Sequence, residues 1–223
     1  MPNENFRQAV RSHTSILAAA EKRALIWTAA RLPKWLNSDH LTGLGFIALA
    51  GAGLCYFLAN GNPQALLWVI PCLIVNWFGD SLDGTLARVR NQQRPRYGFY
   101  VDHILDAIGT FFLISGLAFS GYMSPAVAYA FLIVYLLLSI EIYLATYTIG
   151  TFHLSYWSFG PTELRILLII GNLFALRNPW AKIGDFRVLL FDAGFTIGTA
   201  GIAVILLQAI FRHTRMLYQE ERV

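Results

Sequence analysis

The chain has 223 residues, of which 56% are apolar and only 13% charged, with a formal net charge of +4. A soluble domain is roughly 45–50% apolar and about 25% charged, and needs that polar surface to cover its core. The composition therefore excludes a soluble globular protein, a disordered chain and a disulfide-stapled secreted domain, and leaves an integral membrane protein. The basic excess reads as cytoplasmic-loop charge rather than nucleic-acid binding, and no nucleic-acid partner is expected. Cys55 and Cys72 lie inside apolar runs without metal-ligand spacing, and read as small buried residues.

Residues 1–15 are polar and mixed in charge, and read as something other than a signal peptide. From Thr14 to Arg31, Ile16, Leu17, Ala20, Ala24 and Trp27 recur at helical spacing, while Glu21, Lys22 and Arg23 interrupt any spanning run. The segment predicts an amphipathic helix in the membrane interface; packing on the domain's own cytoplasmic face is the alternative. Pro33 ends it.

Six apolar stretches follow: Leu41–Ala59, Ala65–Leu86, Phe99–Phe119, Pro125–Tyr147, Thr162–Leu176 and Val188–Phe211. Turn residues separate them, among them Asn60-Gly61-Asn62-Pro63 and Phe159-Gly160-Pro161. A spanning helix takes about 20 residues. The predicted fold is all-α, a polytopic membrane protein with six transmembrane helices, an N-terminal amphipathic interfacial helix and no β-structure. Residues 1–36 form the cytoplasmic or interfacial segment, 37–211 the six-helix catalytic domain and 212–223 a cytoplasmic tail.

Basic residues set the orientation. Placing both termini in the cytoplasm puts 14 basic residues inside, including Arg88, Arg90, Arg94, Arg96 and Arg165, and leaves Arg177, Lys182 and Arg187, three in all, outside.

Ionisable groups at membrane depth are costly and mark function. The second and third stretches hold Asp80, Asp83, Asp102 and Asp106. At about 100° per residue, Asp80, Asp83, Gly84 and Ala87 share one narrow stripe, and Asp102, Asp106 and Gly109 share another. Both pairs sit at the cytoplasmic ends of their helices, joined by one loop, so the two faces can meet. Four carboxylates brought together repel one another at low dielectric. Either some are protonated or cations sit between them: hard oxygens suit Mg²⁺, Mn²⁺ or Ca²⁺, and two such ions balance four carboxylates and clamp phosphoryl chemistry. Surface ion pairs to Arg88, Arg90, Arg94 and Arg96 are the structural alternative. A cation transporter or channel is the functional one, although its acids would be strung along a path across the membrane.

The stretch Asp80-Ser-Leu-Asp83-Gly84-Thr-Leu-Ala87-Arg88, then nine residues to Gly98, then Asp102 and Asp106, resembles the CDP-alcohol phosphotransferase signature at all eight fixed positions. Asp39-His40-Leu41-Thr42 is similar to the Asn-x-Leu-Thr opening of that family's first helix, with Asp39 in place of the asparagine or serving as a helix N-cap. Leu41–Phe46 resembles relatives that use a soluble CDP-alcohol and a diacylglycerol acceptor.

The resemblance implies transfer of a substituted phosphoryl group from a CDP-linked donor, usually CDP-diacylglycerol, to an alcohol, with release of CMP. Asp80, Asp83 and Asp102 would ligate two divalent ions, Mg²⁺ or Mn²⁺, with Asp106 beside the second. Gly84, Ala87, Arg88 and Gly98 are the implied nucleotide-side positions, the first two making room and Arg88 lying near the diphosphate or supporting the metal ligands. Asp106, one turn deeper than Asp102, is also placed to take the proton of the acceptor hydroxyl. Inositol phosphate, glycerol phosphate, serine and neutral alcohols all remain open as acceptors. Thr42, Glu163 and Arg165 are candidate substrate residues, with Glu141, Tyr143 and Tyr156 nearby in sequence. His103 and Asp192 are given no chemistry. Gly194 and Gly198 form a small-residue step that permits close packing, within the chain or across a homodimer. The expected location is the cell inner membrane, multi-pass, with the active site on its cytoplasmic side.

Overall fold

The computed structural model describes residues 18–149 and 161–222. They form α1 (Ala18–Ala29), α2 (Ser38–Ala59), α3 (Ala65–Val89), α4 (Pro95–Ala118), α5 (Pro125–Ile149), α6 (Pro161–Arg177), β1 (Trp180–Ile183), β2 (Phe186–Leu189) and α7 (Leu190–Glu220). Among the described residues, five helices are long and apolar enough to cross a membrane: α2, α3, α4, α5 and α7. The segment expected as the fifth span is α6, described over 17 residues. At 1.5 Å per residue that is about 26 Å, against a hydrocarbon core of roughly 30 Å.

The helix ends follow local chemistry. Asn37 caps α2: its side chain accepts from the His40 backbone, and the His40 ring accepts from the Asn37 backbone. The cap is thus Asn37, and Asp39 lies in the first turn instead. Asn91 adopts the left-handed conformation (φ 54°) just past α3, and the Gln92 amide closes that end on Ala87 O at 2.9 Å. Pro95 then opens α4, where its missing N–H costs nothing.

The main core draws on α2 to α7, with Ala52, Tyr56, Leu66, Val69 and Leu117 of α2, α3 and α4 buried in it. Without a hydrophobic drive between helices in lipid, close backbone approach matters most. α2 and α4 meet at glycine: a Cβ built on Gly116 would lie 1.9 Å from Gly53 O, and one on Gly53 2.3 Å from Phe112 O. Both obstacles are backbone and cannot swing away. Gly116→Ala is therefore expected to destabilise the protein by about 1–3 kcal/mol or more, read as a lower thermal unfolding midpoint in detergent. An unchanged midpoint would contradict this contact. Among the described residues the Gly194/Gly198 step makes no such contact: a Cβ on Gly194 would meet nothing within 4 Å, and one on Gly198 would meet Phe131 at an ordinary 3.8 Å.

In α1 the face read as Ala24 and Trp27 is exposed, while Leu25, Ala29 and the following Leu32 are seated on Leu41, Leu82 and Leu86. α1 thus docks on the end of α3 and keeps its Ala24 and Trp27 face outward. Ile16 and Leu17 lie outside the described residues. The expectation of no β-structure needs correction: β1 and β2 form an antiparallel hairpin between α6 and α7, with Ile183 opposite Phe186. Gly184, at φ 61°, takes the first of its two turn positions, as a II′ turn requires.

Candidate active site

The α3–α4 connection brings the two aspartate stripes together. Asp80 and Asp83 sit near the C-terminal end of α3, and Asp102 and Asp106 near the N-terminal end of α4. One carboxylate oxygen from each of Asp80, Asp102 and Asp106 lies within 4.8 Å of the others. Asp83 borders the same cavity, but its carboxylate is engaged: Thr42 Oγ1 donates to its Oδ2 at 2.6 Å, and the Gly84 amide donates to its Oδ1. Ser38 Oγ donates to the Asp83 carbonyl at 2.9 Å, so the N-terminal end of α2 holds both the backbone and the carboxylate of this residue. Thr42, expected at the substrate, thereby positions Asp83.

Arg165 enters from α6. Its Nη2 donates to Asp80 Oδ2 at 2.7 Å, and its Nε to Asn76 Oδ1 at 2.7 Å. Asn76, buried at 2% exposure, donates onward to Gly45 O on α2 at 2.9 Å. This relay fixes one carboxylate of the cluster and offsets one of its four negative charges. Sequence reasoning missed Asn76. Its signal was present, because it is a polar residue inside an apolar run, four positions before Asp80 on the same helical stripe.

Asp80 takes its ion pair from Arg165 of α6 rather than from the α3–α4 loop. Arg94 pairs with Asp39 and lies over the Tyr97 ring, 4.3 Å from its centroid. Arg90 donates to the carbonyls of Leu32, Pro33 and Leu36, pinning the segment after α1. Arg88 Nη2 donates to Thr85 Oγ1 at 3.0 Å.

The remaining predicted residues are placed as follows. Ala87 lines an open pocket of about 350 Å³ together with Asn37, Ser38, Asp39, Gln92, Gln93 and Arg94. A Cβ on Gly84 would lie 3.4 Å from Arg88 Nη1, and one on Gly98 would meet nothing within 4 Å. Glu163 lies in α6 with its side chain outside the described residues, and Tyr156 is outside them altogether. His103 Nδ1 contacts Phe99 O at 2.6 Å and its ring rests on Phe99 and Tyr143. Glu141 pairs with His213 at 2.5 Å, linking α5 to α7. Asp192 Oδ1 accepts from the Ser124 amide at 2.7 Å and tethers the start of α7.

A divalent ion fits this donor set. Three hard carboxylate oxygens converge from two helices, and a fourth carboxylate borders the cavity. The cavity between them is about 10 Å³, close to the room one water-sized sphere occupies.

The family model described as CDP-alcohol phosphatidyltransferase matches residues 35–211, a span that contains the cluster, its α2 supports and all helices from α2 to most of α7. No curated protein matches the chain.

Proposed function

Because the chain belongs to the CDP-alcohol phosphatidyltransferase family, we propose that it transfers a phosphatidyl group from CDP-diacylglycerol to an alcohol acceptor, releasing CMP, at a centre holding two divalent ions, Mg²⁺ or Mn²⁺. The carrying observation is the convergence of Asp80, Asp102 and Asp106, with Asp83 beside them, at one end of the helices. A transport path would distribute its acids across the membrane instead.

Asp80, Asp83, Asp102 and Asp106 would hold the ions, which, when bound, would supply positive charge against the diphosphate and the departing CMP. The protein's own groups do the rest. Arg165 and Thr42 keep Asp80 and Asp83 in fixed rotamers, so the donor meets a preorganised set of oxygens. Ala87 and its pocket neighbours would take the nucleotide, with Gly84 leaving room beside Arg88. Gly98 leaves open space in the first turn of α4. The acceptor oxygen forms its bond to the β-phosphorus, the bond from that phosphorus to the CMP oxygen breaks, and the hydroxyl proton passes to the Asp106 carboxylate.

This reading places six spans in the membrane, α6 among them, with α1 at the interface, both termini in the cytoplasm and the catalytic end on the cytoplasmic side of the inner membrane. Exposed Trp27, with Arg31 stacked 3.9 Å from its ring centroid, suits an interfacial α1.

The test is CMP release by the purified protein from CDP-diacylglycerol with a panel of alcohols, with lipid products identified by mass spectrometry. One acceptor is expected to release CMP and yield its phosphatidyl ester. CMP release only from a soluble CDP-alcohol with diacylglycerol would reverse the assignment of donor and acceptor.

A further inference from the structure

The three basic residues that defy the orientation rule, Arg177, Lys182 and Arg187, gather at the end of the protein opposite the aspartates. Arg165 meets Asp80 near the start of α6, while Arg177 closes the far end of that helix and the hairpin follows three residues later. Lys182 and Arg187 are directly opposite each other across the two strands. Like charges in that position destabilise a hairpin. Both are exposed, and neither has an ion pair among the described residues. Asp185 lies at the turn beyond them, and Asp192 is engaged by Ser124.

Strand alternation gives the hairpin two unlike faces. Trp180, Lys182, Arg187 and Leu189 share one face; Ala181, Phe186 and Val188, all apolar, share the other. Trp180 is 50% exposed and Phe186 76%. The hairpin cannot sit far from the bilayer surface: Leu190, the first residue of spanning α7, directly follows β2 and donates to Pro179 O at 2.8 Å. An aromatic, apolar face beside a registered cation pair matches the acyl boundary and the phosphate of a lipid together.

We propose that the α6–α7 hairpin is a docking site for an anionic phospholipid of the leaflet opposite the aspartate cluster, with Lys182 and Arg187 straddling the headgroup phosphate and Trp180 against the upper acyl chain. The site is independent of the reaction and of its substrates.

Trp180 reports on it. In vesicles, its fluorescence, isolated as the difference between the protein and Trp180→Phe, is followed with acyl-brominated phosphatidylglycerol or phosphatidylcholine as a minor component. Quenching is expected at a several-fold lower fraction of the brominated phosphatidylglycerol. Lys182→Gln/Arg187→Gln is expected to level the two lipids, while Lys182→Arg keeps the preference. Unchanged unfolding midpoints show that the variants fold. Equal quenching in the unsubstituted protein, or a preference that survives the double substitution, would overturn the proposal. So would loss of the preference on adding millimolar inorganic phosphate at constant ionic strength, which would make the ligand a free anion.

Discussion

Asp106→Asn is expected to lower the single-turnover rate of phosphotransfer by about 10²–10⁴-fold, the usual contribution of a positioned base, while the fold and donor binding persist. Asp106 lies one turn beyond Asp102 on α4, and its oxygen belongs to the convergent set with Asp80 and Asp102. An asparagine preserves size and a carbonyl oxygen but cannot accept the acceptor's proton. Donor affinity and single-turnover rate, measured on the same purified variant, separate the two roles open to this residue. A selective loss of rate supports the base. Parallel loss of both makes Asp106 a metal ligand first, and a near-normal rate removes it from the chemistry.

Asp80→Asn, Asp83→Asn and Asp102→Asn should each abolish most turnover and weaken divalent-ion affinity by more than about tenfold, the low end of what even an outer-sphere partner costs. Each removes one negative charge from the cluster without changing shape. The surroundings differ. At position 80 the amide oxygen still accepts from Arg165, so that variant should stay well folded. At position 83 Thr42 loses a charged acceptor, so some stability should go with the affinity. Calorimetric titration with Mn²⁺ checks the set; a folded Asp83→Asn protein with unchanged affinity and rate would refute its assignment as a ligand.

Much of this centre was legible in the sequence because helical periodicity and membrane cost act together. Asp80, Asp83, Asp102 and Asp106 are expensive residues in apolar runs, and their spacing fixes the face they share. Periodicity gives a face but not its partner. Arg165 on Asp80, Thr42 on Asp83 and the Gly53–Gly116 contact depend on which helices become neighbours, which no single helix encodes. The docking of Leu25 and Ala29 of α1 on Leu82 and Leu86 has the same origin. The hairpin was legible and overlooked. Gly184-Asp185 separates WAKI from FRVL as a two-residue turn should, but the apolar Val188 and Leu189 merged with the helix after them.

CMP release measured against bound metal tests the central claim most directly. The purified protein is stripped with excess chelator, given CDP-diacylglycerol and its acceptor, and titrated with Mn²⁺ or Mg²⁺ while bound ions are counted on the same sample. The carboxylate centre predicts no turnover in the stripped protein and recovery as its sites fill, complete at two ions per chain. Full turnover with no ion bound would contradict it.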